Sequence, residues 1–226
     1  MERRGLPYDT PSSISPSVVR THSKQLLLPP PYNTVPSSCT AIVIGLGGLG
    51  SPVLTYLATM GCGRLVLVDG DTVELSNLHR QFAHCPADVG RLKTDSAEEH
   101  VKRLSPNTEV VAIPHFLTAE NISEHLTPHL SNPTTIVFSC LDSHASRLLL
   151  SAHLRSSSPR TPLVSGCASG LTGSVLVTPP TCYGCANHAQ GTNCDDAGIL
   201  PSVLAVVSGL MVEAAVAIWG GKGPGG

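Results

Sequence analysis

From Thr40 onward, short apolar β-branched runs alternate with longer stretches whose apolar residues recur at helical spacing. Ala41 to Ile44 reads as a strand that stops at Gly45, and Leu49 to Met60 as a buried helix ending at Gly61. Arg64 to Val68 is the next strand. Leu92 to Leu104 has helical spacing, Glu109 to Ile113 is a strand, and Glu120 to His129 is predicted as a helix closed by Pro133. Thr135 to Cys140 is a strand, Ser143 to Leu154 a helix, and Leu163 to Gly166 and Ser174 to Val177 are strands. Strands alternating with helices predict an α/β fold: a doubly wound, mostly parallel sheet with helices on both faces. Residues 1–38 are rich in Pro and Ser and read as an extended or disordered leader. The folded domain is expected over 39–220, followed by a Gly-rich tail at 221–226. Pro179 to Leu200 is a long loop carrying Cys182, Cys185 and Cys194, and a loop of that length is usually functional.

Composition narrows the classes. At 226 residues the chain accommodates one sizeable core. With a formal net charge of −2 and 13% charged residues, no basic face points to nucleic acid or an anionic membrane. The 8 cysteines are dispersed and Met1 to Arg20 has no apolar signal core, which fits a reducing, cytoplasmic setting. Glu2 and Asp9 argue against a transit peptide. Ile199 to Trp219 is apolar enough to span a bilayer by length. Pro201 and Glu213 interrupt it, so a buried helix of the sheet sandwich is expected and no membrane partner.

Gly45, Gly47 and Gly50 form a G-x-G-x-x-G set between a predicted strand and helix, with Asp69 at the end of the following strand. Such glycines let backbone N–H groups approach phosphate oxygens at a helix N-terminus, and the acid can bind ribose hydroxyls; the pattern is Rossmann-like and indicates a nucleotide. An NAD-linked oxidoreductase shares the fingerprint. The loops beyond strand C-termini meet in one crevice, where Asp69, Asn77, Arg80, Lys93 and Asp142 can reach a single ligand. Two cations, an amide and a carboxylate suit a triphosphate with Mg²⁺, whereas hydride transfer needs no such clamp. Taken singly each has a plainer role: Asn77 and Asp142 as helix caps, Arg80 and Lys93 as surface charges.

The runs Ile-Gly-Leu-Gly-Gly-Leu-Gly-Ser at 44–51, Val-Asp-Gly-Asp at 68–71, Ser-Asn-Leu-His-Arg-Gln at 76–81, Val-Gly-Arg-Leu-Lys at 89–93, Cys-Leu-Asp-Ser at 140–143 and Cys-Tyr-Gly-Cys at 182–185 carry a resemblance. From Ala41 to about Glu213 the chain resembles the MoeB/ThiF and ubiquitin-activating family, in particular the adenylyltransferase half of the molybdopterin-synthase and tRNA-thiolation activators. The resemblance implies ATP and Mg²⁺ as cofactors. The implied substrate is the C-terminal Gly-Gly carboxylate of a ubiquitin-like or sulfur-carrier protein, adenylylated by the enzyme. It places Gly45, Gly47, Gly48 and Gly50 against the nucleotide, Asp69 on the ribose, and Asp71, Ser76, Asn77, Leu78, His79, Arg80, Lys93 and Ser143 around it, with Asp142 placing the metal. It makes Arg80, Lys93, Asp142 and Cys194 the catalytic set, Cys194 then taking up a thioester or persulfide.

The family's pattern also implies a homodimer in which an N-terminal basic residue, here Lys24, reaches the partner's ATP. Lysine there lacks the bidentate fork of arginine. Cys182 and Cys185 are half of a zinc site, and the second C-x-x-C that family members supply is absent, so zinc is possible with an incomplete ligand set. The chain ends in Gly220 to Gly226 without the terminal strands or rhodanese domain of some relatives. The alternative reading is a weak or inactive truncated pseudo-subunit or scaffold of the same family.

Overall fold

The computed structural model describes residues 16–30, 32–33, 35–179, 183–186 and 198–221. Six strands form one sheet: β1 (Thr40–Ile44), β2 (Arg64–Val68), β3 (Glu109–Ile113), β4 (Thr135–Ser139), β5 (Leu163–Ser169) and β6 (Thr172–Thr178). Their order is β3-β2-β1-β4-β5-β6, parallel throughout except for β6, which runs antiparallel to β5. This is the Rossmann order expected from the alternating pattern. The chain leaves β1 toward β2 on one side and returns to β4 on the other, so the sheet's switch point lies between β1 and β4.

Helices cover both faces. α1 (Pro16–Thr21) precedes the sheet; then come α2 (Gly50–Thr59), α3 (Lys93–Leu104), α4 (Ile122–Leu126), α5 (His144–Ser157), α6 (Tyr183–Ala186) and α7 (Pro201–Trp219). Side chains alternate across a strand, and β1 is buried at every position. Ala41 and Val43 pack with α2, α3 and α7 residues such as Leu54, Val101 and Met211, whereas Ile42 and Ile44 pack with Leu126, Leu150 and Leu154 from α4 and α5.

Several elements differ from their sequence expectation. The helix expected over Glu120 to His129 is α4 followed by a 3-10 turn at Thr127–His129. Pro128 has no N–H to continue the α ladder, so the chain tightens. β5 and β6 extend into a hairpin that turns at Gly170, whose φ is +58°. Gly173 belongs to β6 because a Cβ there would lie 2.3 Å from Val207 of α7, so the strand needs a residue without one. Within the expected leader, α1 begins on Pro16, a residue suited to the first helical position, and Val35 is buried. Ser143 rather than Asp142 caps α5, its Oγ accepting from Ser146 N at 3.0 Å.

The apolar C-terminal stretch is α7, and it lies on the sheet. Pro201 opens the helix instead of interrupting it. Leu204, Val207, Met211, Val212, Ala215 and Trp219 are buried in the core. Ser208 Oγ donates to Leu49 O at 3.0 Å and Trp219 Nε1 to Thr134 O at 2.8 Å, which fixes the helix's register on the sheet. Its outer face leaves Val206 63% exposed and Leu210 50% exposed.

Burial, first of all, holds His22, His84, His100, His129 and His153 below the ordinary imidazole value. Each therefore binds its proton more readily in the unfolded chain, so unfolding takes up protons as acidity rises through the ordinary value. Stability is expected to be level above about pH 6.5 and to fall as pH drops from there toward the depressed folded values. Urea midpoints at about pH 7.5 and about pH 5.5 check this; an unchanged or higher midpoint in acid contradicts it.

Candidate active site

Because Ile44, Val68 and Ser139 are paired in register, Gly45, Asp69 and Cys140 leave the sheet at one level. Above them opens a cavity of about 400 Å³. The glycine loop forms its floor. Gly45 adopts φ +87° and donates its N–H to Val68 O at 2.9 Å; a Cβ there would sit 2.7 Å from Cys140 O. Gly50 lies beneath the loop, where a Cβ would meet Gly45 O at 1.9 Å. α2 starts at Gly50 with Leu49 as N-cap and no side-chain cap bond; Ser51 N–H donates to Gly47 O at 2.9 Å and Pro52 has no N–H, so an anion meets the helix's positive end through the glycine loop that lines the cavity before it.

One carboxylate organises this loop. Asp69 Oδ2 accepts from Leu46 N at 2.7 Å and Oδ1 from Asp71 N at 2.8 Å. Each oxygen retains a second lone pair that can accept from a hydroxyl. The Leu46 carbonyl in turn accepts from Ser51 Oγ at 3.1 Å and lies 3.3 Å from His84 Nε2.

The charged rim is paired within itself. Lys93, the first residue of α3, is buried and its Nζ meets Asp71 Oδ2 at 2.8 Å, while its N–H donates to Asp71 O at 2.9 Å. Arg80 Nη2 donates to Asn77 Oδ1 at 2.7 Å and Nη1 to Ser76 O at 3.3 Å. Asn77 Nδ2 and Ser76 Oγ both donate to Glu74 Oε2, at 3.3 and 3.2 Å. Asn77 closes a 3-10 turn, Leu75–Asn77, and caps no α-helix. Asp142 is exposed at the cavity rim.

Thus Gly45, Gly47, Gly48, Asp69, Asp71, Asn77, Arg80, Lys93 and Asp142 surround one space. Gly50 supports it from below. Ser76, Leu78, His79 and Ser143 do not line it: His79 Nδ1 lies 3.1 Å from Ser76 O, and Ser143 caps α5. Lys24 is exposed at the start of the Gln25–Leu27 turn and lines no part of this cavity. Cys182 and Cys194 lie outside the described residues, as does the side chain of Cys185. Among the described residues no group of three or more His, Cys, Asp or Glu is arranged to hold a metal.

Sequence reasoning missed four contributors. Glu74 ties Ser76 and Asn77 together. Gln81 is buried with its Oε1 unpartnered beside Gly47; its place in the Ser76–Gln81 run was the available signal. Arg147 is 5% exposed, with Nη1 donating to Gly166 O at 2.6 Å and Nη2 to Leu141 O, bridging the ends of β4 and β5. An arginine in line with Leu150 and Leu154 on the apolar stripe of α5 was its signal. Phe116 leans over Gly70, where a Cβ would lie 2.6 Å from its ring. Cys140, also in the wall, has its thiol pushed up to about 12 by burial, with Arg147 pulling weakly the other way, so it is inert as a nucleophile.

A family model described as the ThiF family matches residues 33–225. The chain belongs to the ThiF family. Among the family's curated members, an adenylyltransferase and sulfurtransferase MOCS3 of Drosophila virilis is 37% identical over 191 residues, covering 80% of this chain and 41% of that protein. The molybdopterin-synthase adenylyltransferase of Escherichia coli is 33% identical over 189 residues, covering 80% of this chain and 73% of that one. Against the first curated ThiF-family relatives the chain spans 41% and 39% of their length. Of solved structures, PaaA superposes with a TM-score of 0.73 at 19% identity over 98% of this chain and 70% of that one. Escherichia coli MccB with ATP gives 0.67 at 20% over 83% and 58%, and both share the fold. Relatives named as adenylyltransferases set aside the oxidoreductase reading.

The loop's close packing predicts unequal glycine tolerance. Gly50→Ala drives a methyl into a backbone carbonyl and is expected to cost about 2–3 kcal/mol. Gly48→Ala meets only the flexible end of Leu204, at 2.7 Å, and is expected to cost far less. Asp69→Ala strands two N–H groups and is expected to cost about 2 kcal/mol. Urea denaturation ranks the three, and Gly48→Ala proving the worst overturns the assignment.

Proposed function

We propose that this domain activates the C-terminal Gly-Gly carboxylate of a ubiquitin-like or sulfur-carrier protein by adenylylation with ATP. The observation that carries it is the convergence of Arg80, Lys93 and Asp142 on one cavity at the glycine loop that leads into α2. Hydride transfer has no use for that arrangement, whereas moving an adenylyl group between two anions depends on it.

In this reading the glycine loop at the N-terminal end of α2 receives phosphate oxygens, and Asp69 accepts from the ribose hydroxyls through its remaining lone pairs. Gly48 admits the nucleotide because a side chain there would fill the space before Leu204. The carboxylate oxygen of the carrier attacks the α-phosphorus in line. The bond from that phosphorus to the bridging oxygen breaks, and acyl adenylate and pyrophosphate result. Arg80 and Lys93 neutralise charge on the phosphates as it moves to the leaving group. Lys93 turns from Asp71 to do so, which frees a second carboxylate on the cavity that Asp142 also lines. These two carboxylates have the oxygen chemistry that magnesium requires. When bound, magnesium shields phosphate negative charge from the incoming carboxylate.

A second step is proposed at Cys194, whose thiolate attacks the acyl carbon, forms a thioester and releases AMP. With a persulfide donor the same thiol carries sulfur instead. Cys182 and Cys185 remain candidate zinc ligands. A homodimer is supported by the outer face of α7, with Val206 and Leu210 exposed, and by Lys24, exposed and able to reach outside its own chain. Among the described residues Cys39, Cys62, Cys85, Cys140 and Cys167 form no disulfide, which supports a cytoplasmic setting.

ATP–pyrophosphate exchange with a Gly-Gly-tailed carrier tests the reading. Arg80→Ala, Lys93→Ala and Asp142→Ala are each expected to lower exchange by about a hundredfold or more. Arg80 is half-exposed, so its variant should melt close to the parent. Parent exchange no higher than that of Asp142→Ala overturns the reading and leaves a partner-binding scaffold.

A further inference from the structure

His84 is a buried polar residue that the proposed reaction does not use, and it is hydrogen-bonded to the glycine loop. His84 is 7% exposed, and its two ring nitrogens meet different elements: Nε2 lies 3.3 Å from the Leu46 carbonyl and Nδ1 2.8 Å from Ser96 Oγ. A carbonyl only accepts, so Nε2 must carry the hydrogen. In the neutral ring Nδ1 is then an acceptor for the Ser96 hydroxyl, whose one hydrogen the Asp88 carboxylate also draws on. Ser96 is 2% exposed and stands one turn beyond Lys93 on α3. A continuous chain therefore runs from the helix that bears Lys93, through His84, to the glycine loop.

That chain ends on the residue whose N–H Asp69 holds, Leu46. Leu46 donates its N–H to Asp69, and its C=O faces both Ser51 and His84, so the first residue after Gly45 is gripped from both sides. Burial pushes the His84 imidazole down and keeps it neutral; the Leu46 carbonyl, Asp88 and Asp69 oppose this and Lys93 reinforces it. Neutrality preserves the direction of both hydrogen bonds.

We propose that His84, oriented by Ser96, is a positioning residue that fixes the Leu46–Gly47 peptide and so presents the glycine loop to the nucleotide phosphates. The proposal rests on the adenylylation reading for its kinetic consequence but not for its structural one. In the nucleotide-free full chain, amide hydrogen exchange across residues 45–50 is expected to quicken about tenfold in His84→Leu, which keeps bulk and removes the donor. His84→Gln, which can return an N–H to the Nε2 position, should restore near-parental exchange. Ser96→Ala should loosen the same amides to a lesser degree. In ATP–pyrophosphate exchange, His84→Leu should raise KM for ATP about tenfold and leave KM for the carrier unchanged.

Equal loss in the Leu and Gln variants overturns the proposal, because packing alone would then explain the residue. Parental exchange at residues 45–50 in both His84→Leu and Ser96→Ala overturns it as well. If His84→Leu fails to fold, the Ser96→Ala amides decide. If the parent shows no pyrophosphate exchange, the adenylylation reading fails, while the amide measurements still judge His84.

Discussion

The carboxylate of Asp69 joins three pieces of chain that the sheet alone does not hold together. It ends β2, grips the Leu46 N–H at the start of the glycine loop, and grips the Asp71 N–H of the turn that meets α3. It can do so because Ile44 and Val68 are register partners, which brings the residues beyond them within one hydrogen bond of each other. Remove that contact and the loop, the Asp71 turn and the Lys93 ammonium lose their common reference. Charge-assisted bonds to backbone N–H are among the stronger hydrogen bonds available to a protein. Here two of them share one side chain, so loop and turn are held as a unit.

Around this junction, what was legible in the sequence follows from local physics. β1, β2 and β4 are runs of β-branched and apolar residues buried on both faces, and their bounds came out within a residue or two. Asp69, Arg80, Lys93 and Asp142 were recoverable because strand C-termini in an open parallel sheet bring their loops to one place whatever their separation along the chain. The misses have a different origin. Glu74 and Arg147 act through contacts to backbone atoms and neighbouring side chains that no periodicity encodes. The Lys93–Asp71 pair depends on how the Asp71 turn lies against the start of α3, a tertiary fact. The β5–β6 hairpin ran longer than its apolar stretches because Gly173 and Thr172 pair in the ladder without looking like strand residues.

α7 shows how composition alone can mislead. It is long and apolar enough to cross a bilayer, yet it spends its inner face on the sheet and is tied there by Ser208 and Trp219. A helix laid across a parallel sheet has little polar surface to present on its inner side, and its outer face here exposes Val206 and Leu210 between Ser202 and Glu213. Gly166 lets it come close, since a Cβ at that position would stand 2.3 Å from the Met211 sulfur. The same close approach sets Leu204 against Gly48, so the helix also shapes the cavity wall.

The lining of the cavity carries three basic side chains, Arg80, Lys93 and Arg147, against four acidic ones, Asp69, Asp71, Glu74 and Asp142. A space with that balance, its buried ammonium already neutralised, offers chloride or free phosphate poor terms: each must displace Asp71 and face its repulsion with nothing in return. A polyanion arriving with its own divalent counterion meets the opposite situation, since the displaced acid gains a new partner as the ammonium does. The pairing of Lys93 with Asp71 thus acts as a filter, favouring visitors whose charge comes already matched.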